Sequence, residues 1–143
     1  MSGGELFKEQ EFRTVVGSHH LDMFEHVNNA AYLQIFEQAR WDFISRNGYG
    51  PDQVRARRLG PTILQVTLRF KREVRAGEKL RIVSRTTEYR GKLGRLAQEM
   101  FLESGESACA AEFVFGLFDL DARRLVRPTP EWLKAVGLRS AVQ

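Results

Sequence analysis

Apolar and polar residues follow two different periods along this chain. From Asn29 to Asn47 the spacing is helical, with Tyr32, Phe36, Ala39 and Phe43 on one stripe and Leu33, Ile35 and Ile44 widening it. Asn28-Asn29 supplies N-cap residues, and Asn47-Gly48 suits a left-handed cap at the far end. Apolar groups cover more than one face, so this helix is expected to be wrapped by other structure. Ahead of it, Glu11 to Val16 alternates loosely and predicts a first strand, which the polar stretch Gly17 to Asp22 ends. Behind it, Leu64, Val66, Leu68 and Phe70 alternate with Gln65, Thr67, Arg69 and Lys71 in a two-residue period, the pattern of a half-buried strand.

Ala76-Gly77, Gly91-Lys92-Leu93-Gly94 and Ser104-Gly105 punctuate three further strand candidates at hairpin intervals, which predicts a meander. The last candidate, Ala108 to Phe118, is apolar on both parities except at Glu112 and Gly116, so both sheet faces are expected to be covered there. One helix cannot cover two faces, which implies a homo-oligomer. Thr129-Pro130-Glu131 then gives a cap, a first-turn proline and an acid at the favourable dipole end of a short final helix holding Trp132, Leu133 and Val136. The pattern is α+β, with one long helix inserted after the first strand of an antiparallel sheet.

At 143 residues the chain has the size of a single domain spanning 1–143, and 43% hydrophobic with 28% charged residues is a soluble, globular balance. No stretch approaches the roughly 18 apolar residues of a membrane span, and Met1 to Gln10 lacks a signal peptide's apolar run, so a cytoplasmic location is expected. Cys109, the only cysteine, lies in an apolar run with no activating base beside it and reads as a small core hydrophobe. The net charge of +4 favours a polyanionic partner, either nucleic acid or a phosphate-bearing small molecule. The aromatic residues sit at core periodicity instead of being interleaved with basic ones, which disfavours RNA binding. The three histidines and the cysteine show no metal-ligand spacing, and no glycine-rich dinucleotide fingerprint is present.

The most informative segment is His20-Leu21-Asp22-Met23-Phe24-Glu25-His26-Val27-Asn28-Asn29-Ala30-Ala31-Tyr32-Leu33. It resembles the signature of the hotdog-fold thioesterases related to 4-hydroxybenzoyl-CoA thioesterase: an aspartate, three residues often ending in glycine, His-Val-Asn-Asn, two residues and Tyr-Leu. Asp22, His26, Val27, Asn28, Asn29, Tyr32 and Leu33 fall in register, seven residues within twelve positions. Phe36 to Arg40 resembles the continuation along the family's central helix, Phe70 to Glu78 a hairpin joining two of its strands, and Pro130 to Leu133 its closing helix. Two departures are His20, where many relatives carry an aspartate, and Glu25, where glycine is usual.

The resemblance implies a sheet wrapped around a central helix and hydrolysis of acyl-CoA thioesters without a cofactor or metal. It implies a homodimer or homotetramer with active sites at the dimer interface. Asp22 is the expected catalytic carboxylate, as general base or nucleophile, and the backbone N–H of Asn29 the expected oxyanion donor. The physical reason holds apart from the family, because free N–H groups at a helix start are preorganised donors for the charge that builds on a thioester oxygen. A free aspartate, with a pKa near 4, is ionised at neutral pH and can activate water or attack directly, though loop aspartates before helices also serve as turn formers. His26 is a further candidate that can equally orient the loop, and Asn28 can hold the catalytic loop, position water or simply cap the helix. Glu37 on the helix can pair with Arg40 or solvent, or act as a helix acid. Arg90, Gly91 and Lys92 resemble the turn with which relatives grip the nucleotide of CoA, and Arg58, with Arg55 and Arg57, forms a second basic cluster; either can also be a solvated surface. The competing readings are a hotdog protein that binds acyl-CoA or an acyl carrier without hydrolysis, and a dehydratase on the same fold.

Overall fold

The computed structural model describes residues 6–17, 20, 23 and 28–139. The elements are β1 (Gln10–Val15), α1 (Asn29–Arg46), α2 (Pro51–Arg57), β2 (Leu59–Phe70), β3 (Lys79–Arg90), β4 (Leu93–Leu102), β5 (Ser107–Asp119), β6 (Arg124–Val126) and α3 (Pro130–Ala135). The long helix and the final helix stand where the sequence predicts them. Asn28 caps α1 by accepting the Ala31 N–H, and Thr129 caps α3 by accepting the Trp132 N–H.

The sheet is antiparallel in the order β1-β3-β4-β5-β2, with β6 on β5. Only β3-β4-β5 is a meander, which corrects the expectation of a full one. β1 and β2 flank α1 in sequence yet occupy opposite edges of the sheet, because the helix carries the chain across it. Phe70 to Glu78 is correspondingly a crossing connection and not a hairpin, since β2 pairs β5 while β3 pairs β4. That connection is tied to the end of β1, where Val16 donates to the Glu78 carbonyl and Gly77 to that of Val16.

Side-chain parity sets the two faces. Ile82, Leu96, Met100, Ala111 and Phe113 point inward and are buried. Against them α1 buries Ala31, Tyr32, Ile35, Phe36, Ala39, Phe43 and Ile44. Phe36 meets Phe113 edge-on at 6.2 Å, and full burial of a side chain such as Phe36 or Ile35 contributes about 2–3 kcal/mol. The opposite face is less completely covered than the sequence suggests: Ala110 and Val114 are half-buried and Glu112 is exposed. β2 forms an open edge with Ile63, Leu64, Val66 and Phe70 exposed. No described helix is long and apolar enough to cross a membrane.

Candidate active site

The start of α1 is held by a network of backbone bonds. The Asn28 side chain accepts from Ala31 N–H at 2.9 Å, so it performs the capping role. The Asn28 N–H itself donates to the His20 carbonyl at 3.1 Å. His20 is buried, and its Nδ1 accepts from the Gly17 N–H at 3.1 Å. His20 and Asn28 are thus bonded to each other at the base of the helix. Among the described residues, no acceptor is taken by the N–H of Asn29 or of Ala30, the first donors of a helix that has no turn before it to bond. Asp22 and His26 lie outside the described residues. His20 has a positional role that its sequence context alone, as a departure from an aspartate, did not suggest.

The basic residues expected to grip CoA lie at the other end of the sheet. Phe70, which packs on Tyr32 of the first helical turn at 5.1 Å, pairs with Cys109 of β5. The β3–β4 turn follows Arg90 and precedes Gly94, which pairs with Phe115. Six residues of β5 separate these levels, about 20 Å. Within that turn Gly91 adopts φ 57°, the left-handed conformation that suits glycine at the first position of a two-residue hairpin loop. Arg90 pairs with Glu88 at 2.6 Å, whereas Lys92 has no ion pair among the described residues. The second cluster is engaged throughout: Arg55 with Asp52, Arg57 with Glu131 at 2.6 Å and Arg58 with Asp121 at 3.1 Å. Arg58 also caps α2 with φ 58°. The helix start and the basic turn are thus not brought together within one chain.

Between these two ends lies a cavity of about 340 Å³ between the second half of α1 and the sheet, lined by Trp41, Ile63, Leu96, Phe115 and Trp132 among others. Two bulges flank it, after Ile63 in β2 and after Thr86 in β3, and bulges bend and twist strands locally. Phe115 is held edge-on by Tyr89 at 5.5 Å and by Trp132 at 6.3 Å. It lies so close over Gly94 that a Cβ there would meet its ring at 2.5 Å.

The cavity wall contains Arg40, whose Nη1 donates to Gln98 Oε1 at 3.1 Å and whose guanidinium stands 4.3 Å over the Phe113 ring. Gln98 is 1% exposed, and its Nε2 donates to the Phe36 carbonyl at 3.1 Å and contacts Ser84 Oγ at 2.9 Å. Burial lowers the Arg40 guanidinium to about 10, with Glu37 acting in the opposite direction, so the group remains cationic at neutral pH. Glu37 lines the same cavity but forms no ion pair with Arg40. Arg40, Gln98 and Ser84 were not singled out as a group from sequence. The available signal was that Ser84, Thr86 and Gln98 are polar at strand positions whose parity places Ile82, Leu96 and Met100 inside. Cys109 is fully buried and its thiol is pushed up to about 11 by that burial, consistent with a core hydrophobe.

An antiparallel sheet curled around one long helix is the hotdog architecture. The model of the Thioesterase-like superfamily matches residues 16–136, and the chain belongs to that family. It is 31% identical over 110 residues to the long-chain acyl-CoA thioesterase FadM of Escherichia coli strain K12, covering 76% of this chain and 83% of that protein. The crystal structure of YbaW Probable Thioesterase from Escherichia coli superposes with a TM-score of 0.76 at 27% identity, over 87% of this chain and 94% of that one. The Staphylococcus aureus protein SAV2348, solved in complex with CoA, shares the fold with a TM-score of 0.84 at 15% identity, over 96% and 90%. The chain also spans 53% of the length of a Lactobacillus plantarum structure whose fold it shares at TM-score 0.87 and 15% identity.

Proposed function

We propose that the protein hydrolyses acyl-CoA thioesters to a carboxylic acid and CoA, with Asp22 as general base or nucleophile and the Asn29 N–H as the main oxyanion donor. The observation that carries this reading is the bond from Asn28 N–H to the His20 carbonyl beside the N–H of Asn29, which has no acceptor among the described residues. Asp22 is two residues from His20, so its Cα can lie no more than about 7 Å along the chain from a residue bonded to the helix base. That tether keeps Asp22 near the helix start, which is what the proposed role requires. An oxyanion donor of this kind contributes about 3 kcal/mol or more where water is excluded. His26, two residues before the capping Asn28, has the reach to orient the same loop, and Asn28 fixes the helix start. Kinship with FadM supports the thioester class.

The reading extends to a second copy of the chain. β2 presents an edge that no described strand pairs, carrying exposed Ile63, Leu64, Val66 and Phe70, a surface that proteins normally cover. Antiparallel pairing of two β2 edges would set the Leu59 end of one copy, next to Arg58, beside the Phe70 end of the other. Such an arrangement accounts for a CoA grip by Arg58 and the Arg90-Gly91-Lys92 turn lying about 20 Å from the helix start of its own chain, because each site would draw on both copies.

The test is thiol release from short, long and aromatic acyl-CoAs by the purified protein. Release matched by free acid is the expected result. Tight binding of acyl-CoA with no release would mean a carrier instead of an enzyme.

A further inference from the structure

Arg40 is a cation without an ion pair among the described residues, although Glu37, which lines the same cavity, acts on it electrostatically. Among the described residues no carboxylate lies within ion-pair distance of it, and its only hydrogen bond is the one to Gln98 Oε1. The Gln98 amide is oriented by its own partners: reversing it would set oxygen against the Phe36 carbonyl and N–H groups against the guanidinium. Gln98 and the Phe113 ring therefore hold the guanidinium in place from one side. Neither carries a compensating charge, and Arg40 lines a cavity whose other walls are mostly apolar apart from Glu37 and the hydroxyls of Thr62, Ser84 and Thr86. A partly buried charge left in this way is costly unless something anionic meets it.

The cavity is placed to receive the distant part of a ligand bound at the helix start. Glu37, Arg40, Trp41 and Ile44 line it at helical spacing, and exposed Ala30 and Leu33 continue that stripe back to Asn29. Arg40 is eleven residues after Asn29, about 16 Å along the axis. A short or aromatic acyl group would not span that distance, whereas a longer chain would lie along the stripe and end in the cavity. Guanidinium matches carboxylate geometry with two parallel N–H donors.

We propose that Arg40 is a specificity-determining residue that receives a carboxylate at the far end of the acyl group, so that the preferred substrates are medium-chain acyl-CoAs ending in a carboxylate. This rests on the thioesterase reading given above. Arg40 takes no part in bond breaking; it selects the chain whose far end carries the matching charge.

The test uses two non-hydrolysable S-alkyl-CoA thioethers of equal length, one ending in methyl and one in carboxylate, titrated calorimetrically into the full-length protein. The carboxylate-ended compound should bind at least about tenfold more tightly, and Arg40→Gln should abolish the preference while the CoA part still binds. The wild-type comparison stands on its own should the variant fail to fold. Equal binding, tighter binding of the methyl-ended chain, or binding of neither overturns the assignment. Thiol release from the corresponding thioesters separates the two claims. Release without a carboxylate preference keeps the thioesterase and removes the role of Arg40, whereas a binding preference with no release of any thiol keeps the subsite and removes the thioesterase.

Discussion

The two ends of α1 are built differently. At its C-terminus several groups are bonded: the Asn47 N–H bonds the Ile44 and Ser45 carbonyls, Tyr49 N–H bonds Ile44, and the Asn47 side chain donates to Gln10 Oε1 at 2.6 Å and to the Ala135 carbonyl at 2.9 Å. Arg46 adds a cation where the helix dipole favours one. That end ties the first strand, the long helix and the last helix together. At the N-terminus the cap satisfies Ala31, while Asn29 and Ala30 donate to no acceptor among the described residues. The first turn also lacks an acid that would compete for them. One end of the helix is tied into the fold, and the other carries the amides to which the proposed oxyanion role is given.

Substitutions at the two ends should therefore separate stability from turnover. The largest structural loss belongs near the closed end, where Trp132 is buried against Tyr49 and Phe115 and donates to Tyr89 Oη at 3.1 Å. Trp132→Ala should cost about 3–5 kcal/mol in denaturant unfolding. Asn47→Ala should cost about 1–3 kcal/mol, because it strands the Ala135 carbonyl, and should leave kcat within about twofold of wild type. Asn28→Ala at the open end should cost only about 1 kcal/mol, yet lower kcat/KM by about tenfold to a hundredfold, since a shift of about 1 Å in the donors suffices for that. Equal effects of Asn28→Ala and Asn47→Ala on turnover would erase the distinction between the ends.

The smallest effect is expected at Cys109, away from both ends. Its folded thiol titrates near 11 against an ordinary 9.0. The protonated form that the core favours is kept below about pH 9, and its stabilising contribution is lost as pH rises towards 11. Cys109→Ala should flatten that alkaline loss in thermal unfolding and leave thioester turnover unchanged.

Much of this contrast was legible in the sequence. Asn28 and Asn47-Gly48 bracket α1 because caps are local chemistry, and Thr129-Pro130 marks α3 for the same reason. Strand order was not legible. Alternation tells which side of a strand is buried but not which strand lies beside it, so β2 was placed in a meander when it crosses to the far edge. Arg57 and Arg58 looked like part of an unpaired basic cluster because their partners are distant in sequence: Glu131 is 74 positions from Arg57 and Asp121 is 63 from Arg58. The Arg40–Gln98 bond spans 58 positions and was hidden in the same way. Asp22 and His26 were proposed through resemblance and not through periodicity, since the segment that holds them shows none.

The most direct test of the central claim is Asp22→Asn, which keeps the side chain's shape and removes its charge. Thiol release from the best acyl-CoA substrate should fall by about a hundredfold or more, with the unfolding midpoint and the affinity for a non-hydrolysable thioether close to wild type. Turnover at the wild-type rate in a folded Asp22→Asn protein would contradict the account.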